Sequence, residues 1–63
     1  MRQLGFADLA RLRVLVIDDD PRFHKVFRTI LQAVGVSDAR FVVNTVDGLR
    51  EMSDSPPDVI FVD

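Results

Sequence analysis

The chain has 63 residues, of which 48% are apolar and 29% charged, a balance typical of one small folded domain and not of a disordered segment. Its formal net charge of −2 gives no electrostatic basis for binding nucleic acid or an anionic membrane surface. The absence of cysteine excludes a disulfide framework and any thiolate site, and no apolar run approaches membrane-spanning length.

The N-terminal segment, residues 1–12, is predicted to be a short arm outside the main domain. It is interrupted by Asp8 and lacks the continuous apolar core of a signal peptide, so we expect a cytoplasmic protein. Phe6, Leu9 and Leu12 fall at helical spacing. We interpret them as a short packing arm or a frayed tail, and not as a helix that binds a partner.

From Arg13 onward, apolar runs typical of strands alternate with helix signals. Val14–Ile17 is a continuous run of β-branched residues and leucine, the pattern of a parallel strand buried on both faces. From Pro21 the apolar residues change to helical spacing, and Gly35 stands where a helix commonly ends in a left-handed residue. Short strands are predicted at Phe41–Val43 and Val59–Val62.

Between the second and third strands we predict a loop and a weak helix. Asn44–Gly48 contains a turn-prone Asp-Gly pair, and Leu49–Met52 could form one or two helical turns before Pro56 and Pro57. The resulting order is β-α-β-α-β. It predicts an α/β fold, the flavodoxin-like half of a doubly wound parallel sheet, with strand order 2-1-3.

Aspartates follow two strands that this order makes neighbours. Asp18 and Asp19 follow the first strand, and Asp63 ends the third. Adjacent strands lie about 4.8 Å apart, so these carboxylates can converge at one edge of the sheet. Two carboxylates about 4 Å apart repel by about 4 kcal/mol at an effective dielectric near 20, so such a cluster holds either protons or a cation. Oxygen ligands with room for water suit Mg²⁺, and we predict a metal site formed by Asp18, Asp19 and Asp63.

Two other polar residues are given structural interpretations. Asp20 directly precedes Pro21, which is the arrangement of a helix N-cap followed by the favoured first helical residue. His24, the sole histidine, lies on the charged side of the predicted helix, so we expect it to be solvated.

The runs VLVIDDDPRF and PPDVIFVD, the amphipathic helix ending in VG and the VDG turn resemble the receiver domain of two-component response regulators. The resemblance covers Arg13–Asp63, about the first half of that domain. It implies a phosphoprotein of signal transduction, not itself an enzyme, that accepts a phosphoryl group on Asp63 from a histidine kinase or phosphotransfer protein. It further implies that Asp18 and Asp19 hold the Mg²⁺ needed for transfer, Asp19 directly and Asp18 through water.

The chain departs from the receiver pattern in two respects. Receivers continue with two more strands that carry a Ser or Thr and a Lys, so residues 13–63 are expected to form a truncated receiver domain that is not competent to switch. Where the family commonly has Glu-Ala-Leu, this chain has Arg50-Glu51-Met52, which places a charge at a usually small, buried position. The truncation would expose the edge of the third strand, through which we expect a homodimer to form.

Two other functions remain open at this point. Asp-x-Asp after an apolar strand also resembles the haloacid dehalogenase-type phosphatases, with Asp18 as nucleophile and Asp20 as acid/base. That family usually follows the motif with a small residue and a Thr or Val, whereas Pro21 and Arg22 follow here. The other alternative is a non-catalytic interaction module that kept the fold and lost the switch.

Overall fold

The computed structural model describes residues 6–63, with side chains from Asp8 onward, as an alternation of helices and strands. In chain order the elements are α1 (Phe6–Arg11), β1 (Arg13–Ile17), α2 (Pro21–Ala33), β2 (Asp38–Val42), α3 (Thr45–Asp54) and β3 (Val59–Val62). Among these helices, none is long and apolar enough to cross a membrane.

The strands form one parallel sheet in the order β2-β1-β3. In its register, Leu15 at the centre of β1 lies beside Arg40 on β2 and Ile60 on β3. Both connections between parallel strands run through a helix, as parallel crossovers require. The predicted α/β fold and the strand order 2-1-3 are confirmed.

The helices cover opposite faces of the sheet. Val16 and Ile17 are adjacent on β1, so their side chains point to opposite faces. Leu31 of α2 belongs to the core cluster that contains Val16. Gly48 of α3 instead packs against Ile17. The molecule therefore has three layers, with β1 at the centre of the middle one.

The core is built around β1. Its apolar side chains range from 0% exposed at Leu15 to 6% exposed at Ile17. Burying each of these side chains stabilises the fold by roughly 1.5–3 kcal/mol, before the entropy cost of ordering them. The continuous apolar run of this strand is thus explained by helices above and below it and by strands on both sides.

Asp58 holds the beginning of β3 to the beginning of β1. Its carboxylate accepts the Arg13 N–H at 2.8 Å, and its own N–H donates to the Arg13 carbonyl at 2.8 Å. The backbone hydrogen bond from Arg13, aided by the Arg13 side chain, lowers the pKa of Asp58 below its ordinary value. This reciprocal pair fixes where β3 starts relative to β1.

The ends of α2 agree with the sequence prediction. Asp20 is the N-cap, and its side chain accepts the Arg22 N–H at 2.9 Å. Pro21 occupies the first turn, where its missing N–H leaves no hydrogen bond unmade. Beyond the helix, Gly35 has a φ of 100°, a left-handed conformation that glycine adopts without steric cost.

The predicted bounds of the second strand were wrong. β2 runs from Asp38 to Val42 and not over Phe41–Val43. It pairs with all five residues of β1, which extends it through the polar residues Asp38 and Arg40. An outer strand needs to bury only part of its surface, so its first residues carry no apolar signal in the sequence.

The predicted loop at Asn44–Gly48 was also wrong, because α3 begins at Thr45. Asn44 is the N-cap: its Oδ1 accepts the Asp47 N–H at 2.8 Å, and its Nδ2 donates to the Asp47 carboxylate at 3.1 Å. The sequence signal was the Asn-x-x-Asp spacing, which resembles a capping box. Gly48 lies inside the helix, where its missing side chain lets α3 approach β1.

The charge of Glu51 on α3 is neutralised by Arg40 of β2. Arg40 Nη1 donates to Glu51 at 2.7 Å, and Arg40 Nη2 donates to the Ser55 carbonyl at 2.7 Å. Both donors come from one half-buried guanidinium, so Arg40 joins the middle and the end of α3 to the sheet. Glu51 therefore helps to dock this helix.

The segment predicted as an N-terminal arm contains the short helix α1. Residues 1–5 and the side chain of Phe6 lie outside the described residues. Leu9 and Leu12 pack against the core cluster on the α2 face of the sheet. Ser37 Oγ donates to the Ala10 carbonyl at 2.9 Å, which ties α1 to the segment before β2.

The expectation that His24 is solvated was wrong. Its ring is half-buried and lies 5.3 Å from the ring of Phe41, and its Nε2 is buried with no hydrogen-bond partner among the described residues. Arg28 stacks over the same Phe41 ring, with its guanidinium carbon 4.7 Å from the ring centre. These contacts place the His24 side of α2 above β2.

We predict that Gly48→Ala destabilises the protein although alanine favours helix. A Cβ at this position would meet Ile17 Cδ1 directly and lie 3.0 Å from Ile17 Cγ1. Overpacking costs about 1–3 kcal/mol, while the gain in helix propensity is about 1 kcal/mol, so we expect a net loss of roughly 1 kcal/mol. Urea unfolding measures this change in the free energy of unfolding. Ser53→Ala, an exposed change in the same helix, is the control, and a stabilised Gly48→Ala would contradict the close approach.

Candidate functional site

Two of the predicted site aspartates line one cavity at the carboxyl ends of β1 and β3. The cavity has a volume of about 280 Å³, and Asp18 and Asp63 are its charged residues. Its remaining lining is apolar: Val16, Ile17, Phe23, Phe61 and Val62. This is the edge of a parallel sheet at which ligands of such folds bind.

Asp18 is held in place by its backbone and its side chain. Its N–H donates to the Val42 carbonyl at 3.0 Å, which extends the pairing of β1 with β2 by one step. Its Oδ1 accepts the Asp20 N–H at 2.8 Å. Asp18 is 3% exposed, and none of the ion pairs formed between side chains of the described segment includes it. A buried carboxylate therefore faces the cavity, and among the described residues it accepts a hydrogen bond from one neutral donor, the Asp20 N–H.

Asp63 reaches the cavity from the neighbouring strand. Its N–H donates to the Ile17 carbonyl at 3.1 Å, which continues the pairing of β3 with β1 up to the residue before Asp18. The Asp63 side chain is exposed. The strand register therefore places a reachable carboxylate beside a buried one.

Asp19 is not part of this cavity lining. It is exposed and lies in the turn between the end of β1 and the start of α2. Within residues 6–63, no group of three or more acidic, histidine or cysteine side chains is arranged to hold a metal ion. The metal site of Asp18, Asp19 and Asp63 stays a prediction. Two of its three carboxylates share the cavity, which fits a cation such as Mg²⁺ that is commonly held by one or two carboxylates and keeps several waters.

Asp20 is engaged in capping α2 and does not line the cavity. The side-chain hydrogen bond from Arg22, together with the Arg22 backbone N–H, lowers the pKa of Asp20 below its ordinary value. Because the pKa is lowered in the folded state, the stability that the charged Asp20 cap contributes is fully present above the ordinary carboxyl pKa. This contribution is lost as the pH falls through the folded-state pKa of Asp20.

Sequence reasoning missed the aromatic wall of the cavity. Phe23 stacks on Phe27 with ring centres 5.2 Å apart, and Phe27 meets Phe61 edge-on at 4.9 Å. The signal was present in two separate patterns, the apolar stripe of α2 and the apolar run of β3. Only the packing of α2 over β3 brings Phe23 and Phe61 to the same cavity as the carboxylates.

No family model, curated protein or solved structure matches this chain at a significant level. The geometry of the cavity is therefore the basis on which a function can be argued.

Asp18 gives a stability test of this geometry. In buffer with EDTA, Asp18→Asn should be more stable than the unsubstituted protein by about 1 kcal/mol, because it removes a buried charge and keeps an oxygen that accepts the Asp20 N–H. Asp18→Ala should be less stable by about 1 kcal/mol, because it leaves that N–H without its acceptor.

Urea unfolding of the two variants measures both differences. Asp54→Asn, an exposed change at the end of α3, is the matched control and should change stability little. If Asp18→Asn were the less stable of the two Asp18 variants, the side chain would not be the buried acceptor described above.

Proposed function

We propose that this chain is a receiver-type phosphoacceptor module of a two-component signalling system, acting in the cytoplasm. It takes a phosphoryl group onto Asp63 from a histidine kinase or a phosphotransfer protein. The observation that carries the proposal is that Asp18 and Asp63, from the carboxyl ends of adjacent strands, line one cavity.

In the proposed reaction, a carboxylate oxygen of Asp63 attacks the phosphorus of the donor. The new O–P bond forms as the bond from phosphorus to the donor nitrogen breaks, which leaves an acyl phosphate on Asp63. The exposed position of this side chain lets a donor protein reach it. Because a carboxylate and a phosphoryl group are both negative, transfer requires charge neutralisation at the site.

Oxygens of Asp18 and Asp63, with Asp19 from the adjoining turn, would hold the Mg²⁺ that the proposal requires. When bound, the cation supplies the positive charge that the cavity lacks. The residues of the chain supply the rest of the site: Asp18 is fixed by the Asp20 N–H, and the rings of Phe23 and Phe61 line the same cavity.

The phosphatase alternative has less support. It requires Asp20 to act as an acid and base beside Asp18. The Asp20 carboxylate instead accepts the Arg22 N–H and pairs with the Arg22 side chain at 3.3 Å, and it does not line the cavity. If no phosphoryl group is transferred to this chain, a non-catalytic interaction module is the alternative function.

Phosphorylation by a small donor tests the proposal directly. Incubation with acetyl phosphate and Mg²⁺ should slowly add one phosphoryl group, because the receiver reaction is carried by the acceptor's own residues. Intact-mass spectrometry measures the adduct, which hydroxylamine should remove if it is an acyl phosphate. Asp63→Asn should abolish it, and Asp54→Asn should leave it unchanged.

Two results would contradict the assignment of Asp63. An adduct that survives in Asp63→Asn and disappears in Asp18→Asn would favour the phosphatase alternative. The absence of any adduct at long incubation would favour the interaction module.

Thermal unfolding with Mg²⁺ tests the metal site separately. A ligand that binds only the folded state stabilises it by RT ln(1 + [L]/Kd), so a Kd of about 1 mM gives about 1.4 kcal/mol at about 10 mM Mg²⁺. For a domain of this size that corresponds to a rise of several degrees in Tm. Asp18→Asn, Asp19→Asn and Asp63→Asn should each reduce the rise.

Salt at matched ionic strength without Mg²⁺ controls for screening of surface charges. Asp47→Asn and Asp54→Asn, which remove a carboxylate elsewhere, should keep the full effect of Mg²⁺. An unchanged Tm in the unsubstituted protein, or an equal rise in all three site variants, would exclude a metal site at this edge.

A further inference from the structure

A second cavity lies at the carboxyl end of β2, the strand on the opposite side of β1 from β3. Its volume is about 290 Å³, near the lower limit of the roughly 300–1,000 Å³ typical of small-molecule sites. Its lining comes from the end of β2 and from α3: Phe41, Val42, Val43, Asp47, Arg50 and Glu51. None of these residues lines the cavity that contains Asp18 and Asp63, so the two cavities are separate.

The charged residues of the second cavity share one side of α3. Arg50 and Glu51 stand three and four residues after Asp47, so both lie beside it on the helix surface. Glu51 pairs with Arg40 of β2 at 2.7 Å, which shows that this side of α3 is turned toward β2. The docking of α3 on the sheet therefore brings charges of both signs to the apolar end of β2.

Two of these three charges have no opposite charge paired with them. Glu51 is neutralised by Arg40, whereas the Asp47 carboxylate accepts a hydrogen bond from a neutral donor, the Asn44 Nδ2, at 3.1 Å. The Arg50 side chain is exposed. In the described part of the chain, neither Asp47 nor Arg50 belongs to an ion pair. The cavity thus presents one uncompensated carboxylate and one uncompensated guanidinium.

The rest of the lining is apolar and partly open to water. It consists of three consecutive residues, Phe41–Val43, of which Val43 is 52% exposed. An apolar group placed here removes this surface from water, which favours binding. An uncharged ligand would leave both charges of the cavity unpaired, and a ligand of one sign would be attracted by one and repelled by the other. The lining therefore suits a ligand that carries both charges and an apolar group.

We propose that the second cavity binds a free α-amino acid with an apolar side chain. The ligand carboxylate accepts hydrogen bonds from the Arg50 guanidinium, whose fork of N–H groups matches a carboxylate. The ligand ammonium donates to the Asp47 carboxylate. The apolar side chain covers Val43 and its neighbours on β2. Every charge of the ligand and both uncompensated charges of the cavity are neutralised in this arrangement.

Titration with L-leucine at constant ionic strength, followed by two-dimensional amide NMR spectra, tests the proposal on the unsubstituted protein. L-Leucine should shift the amide signals of residues 41–51 in a saturable way, with a Kd on the order of 1 mM for a ligand of so few atoms. Three analogues each lack one recognised group: leucinamide the carboxylate, N-acetyl-leucine the ammonium and glycine the apolar side chain. Each should bind at least about fivefold more weakly.

Two results of this titration would overturn the proposal. One is the absence of any saturable shift at L-leucine concentrations up to about 20 mM, well above the expected Kd. The other is equal binding of L-leucine and its three analogues, because the cavity would then recognise none of the groups assigned to it.

Substitutions assign the two charges to their residues. Arg50→Gln should weaken binding of L-leucine at least about fivefold and leave the weaker binding of leucinamide unchanged, because leucinamide has no carboxylate. Asp47→Asn should weaken binding of L-leucine to a similar extent and leave that of N-acetyl-leucine unchanged. Lys25→Gln and Asp54→Asn, exposed changes outside the cavity, are the charge-matched controls and should keep the original affinity.

The same NMR spectra show whether each variant is folded, so that a loss of affinity can be separated from a loss of structure. Unchanged affinity for L-leucine in both Arg50→Gln and Asp47→Asn would overturn the proposal, as would an equal loss in the two control variants.

Discussion

Complete burial of β1 is the constraint on which the rest of this structure depends. Its side chains from Val14 to Ile17 are covered by α2 and α1 on one face and by α3 on the other, and both of its edges are paired. A chain this short has few other residues with which to build a core. The positions of the three helices, the registers of both outer strands and the close approach at Gly48 can each be traced to the need to enclose this one strand.

The same burial explains the character of the candidate site. Asp18 directly follows the buried strand and continues its pairing with β2, so its carboxylate is drawn out of water without a cation beside it in the described part of the chain. Such a group lowers stability, a cost that the proposed binding of a cation beside Asp18 would offset. Asp63 does not carry this cost of a buried charge, because it ends an outer strand and stays exposed. One edge of the sheet thus holds a fixed buried carboxylate beside an accessible one, which is the asymmetry that the proposed phosphoryl transfer uses.

The central strand β1 is paired along both of its edges, whereas β3 is paired along one edge in the sheet that the described residues form. On the α2 face, the helix contacts Phe41 of β2 and Phe61 of β3, yet Phe23, Val26 and Ile30 of the same helix stay exposed.

The sequence by itself determined the features that rest on local patterns. The apolar run Val14–Ile17 predicts a buried parallel strand, Asp20 before proline predicts a helix cap, and the alternation of these signals predicts the strand order. Only the tertiary structure decided which polar residues serve the sheet. Arg40 forms part of a strand because it lies beside β1 and pairs with Glu51, and Asp19 lies outside the cavity because the chain turns toward α2 after Asp18. These outcomes depend on contacts between residues distant in the chain, for which spacing along the sequence carries no signal.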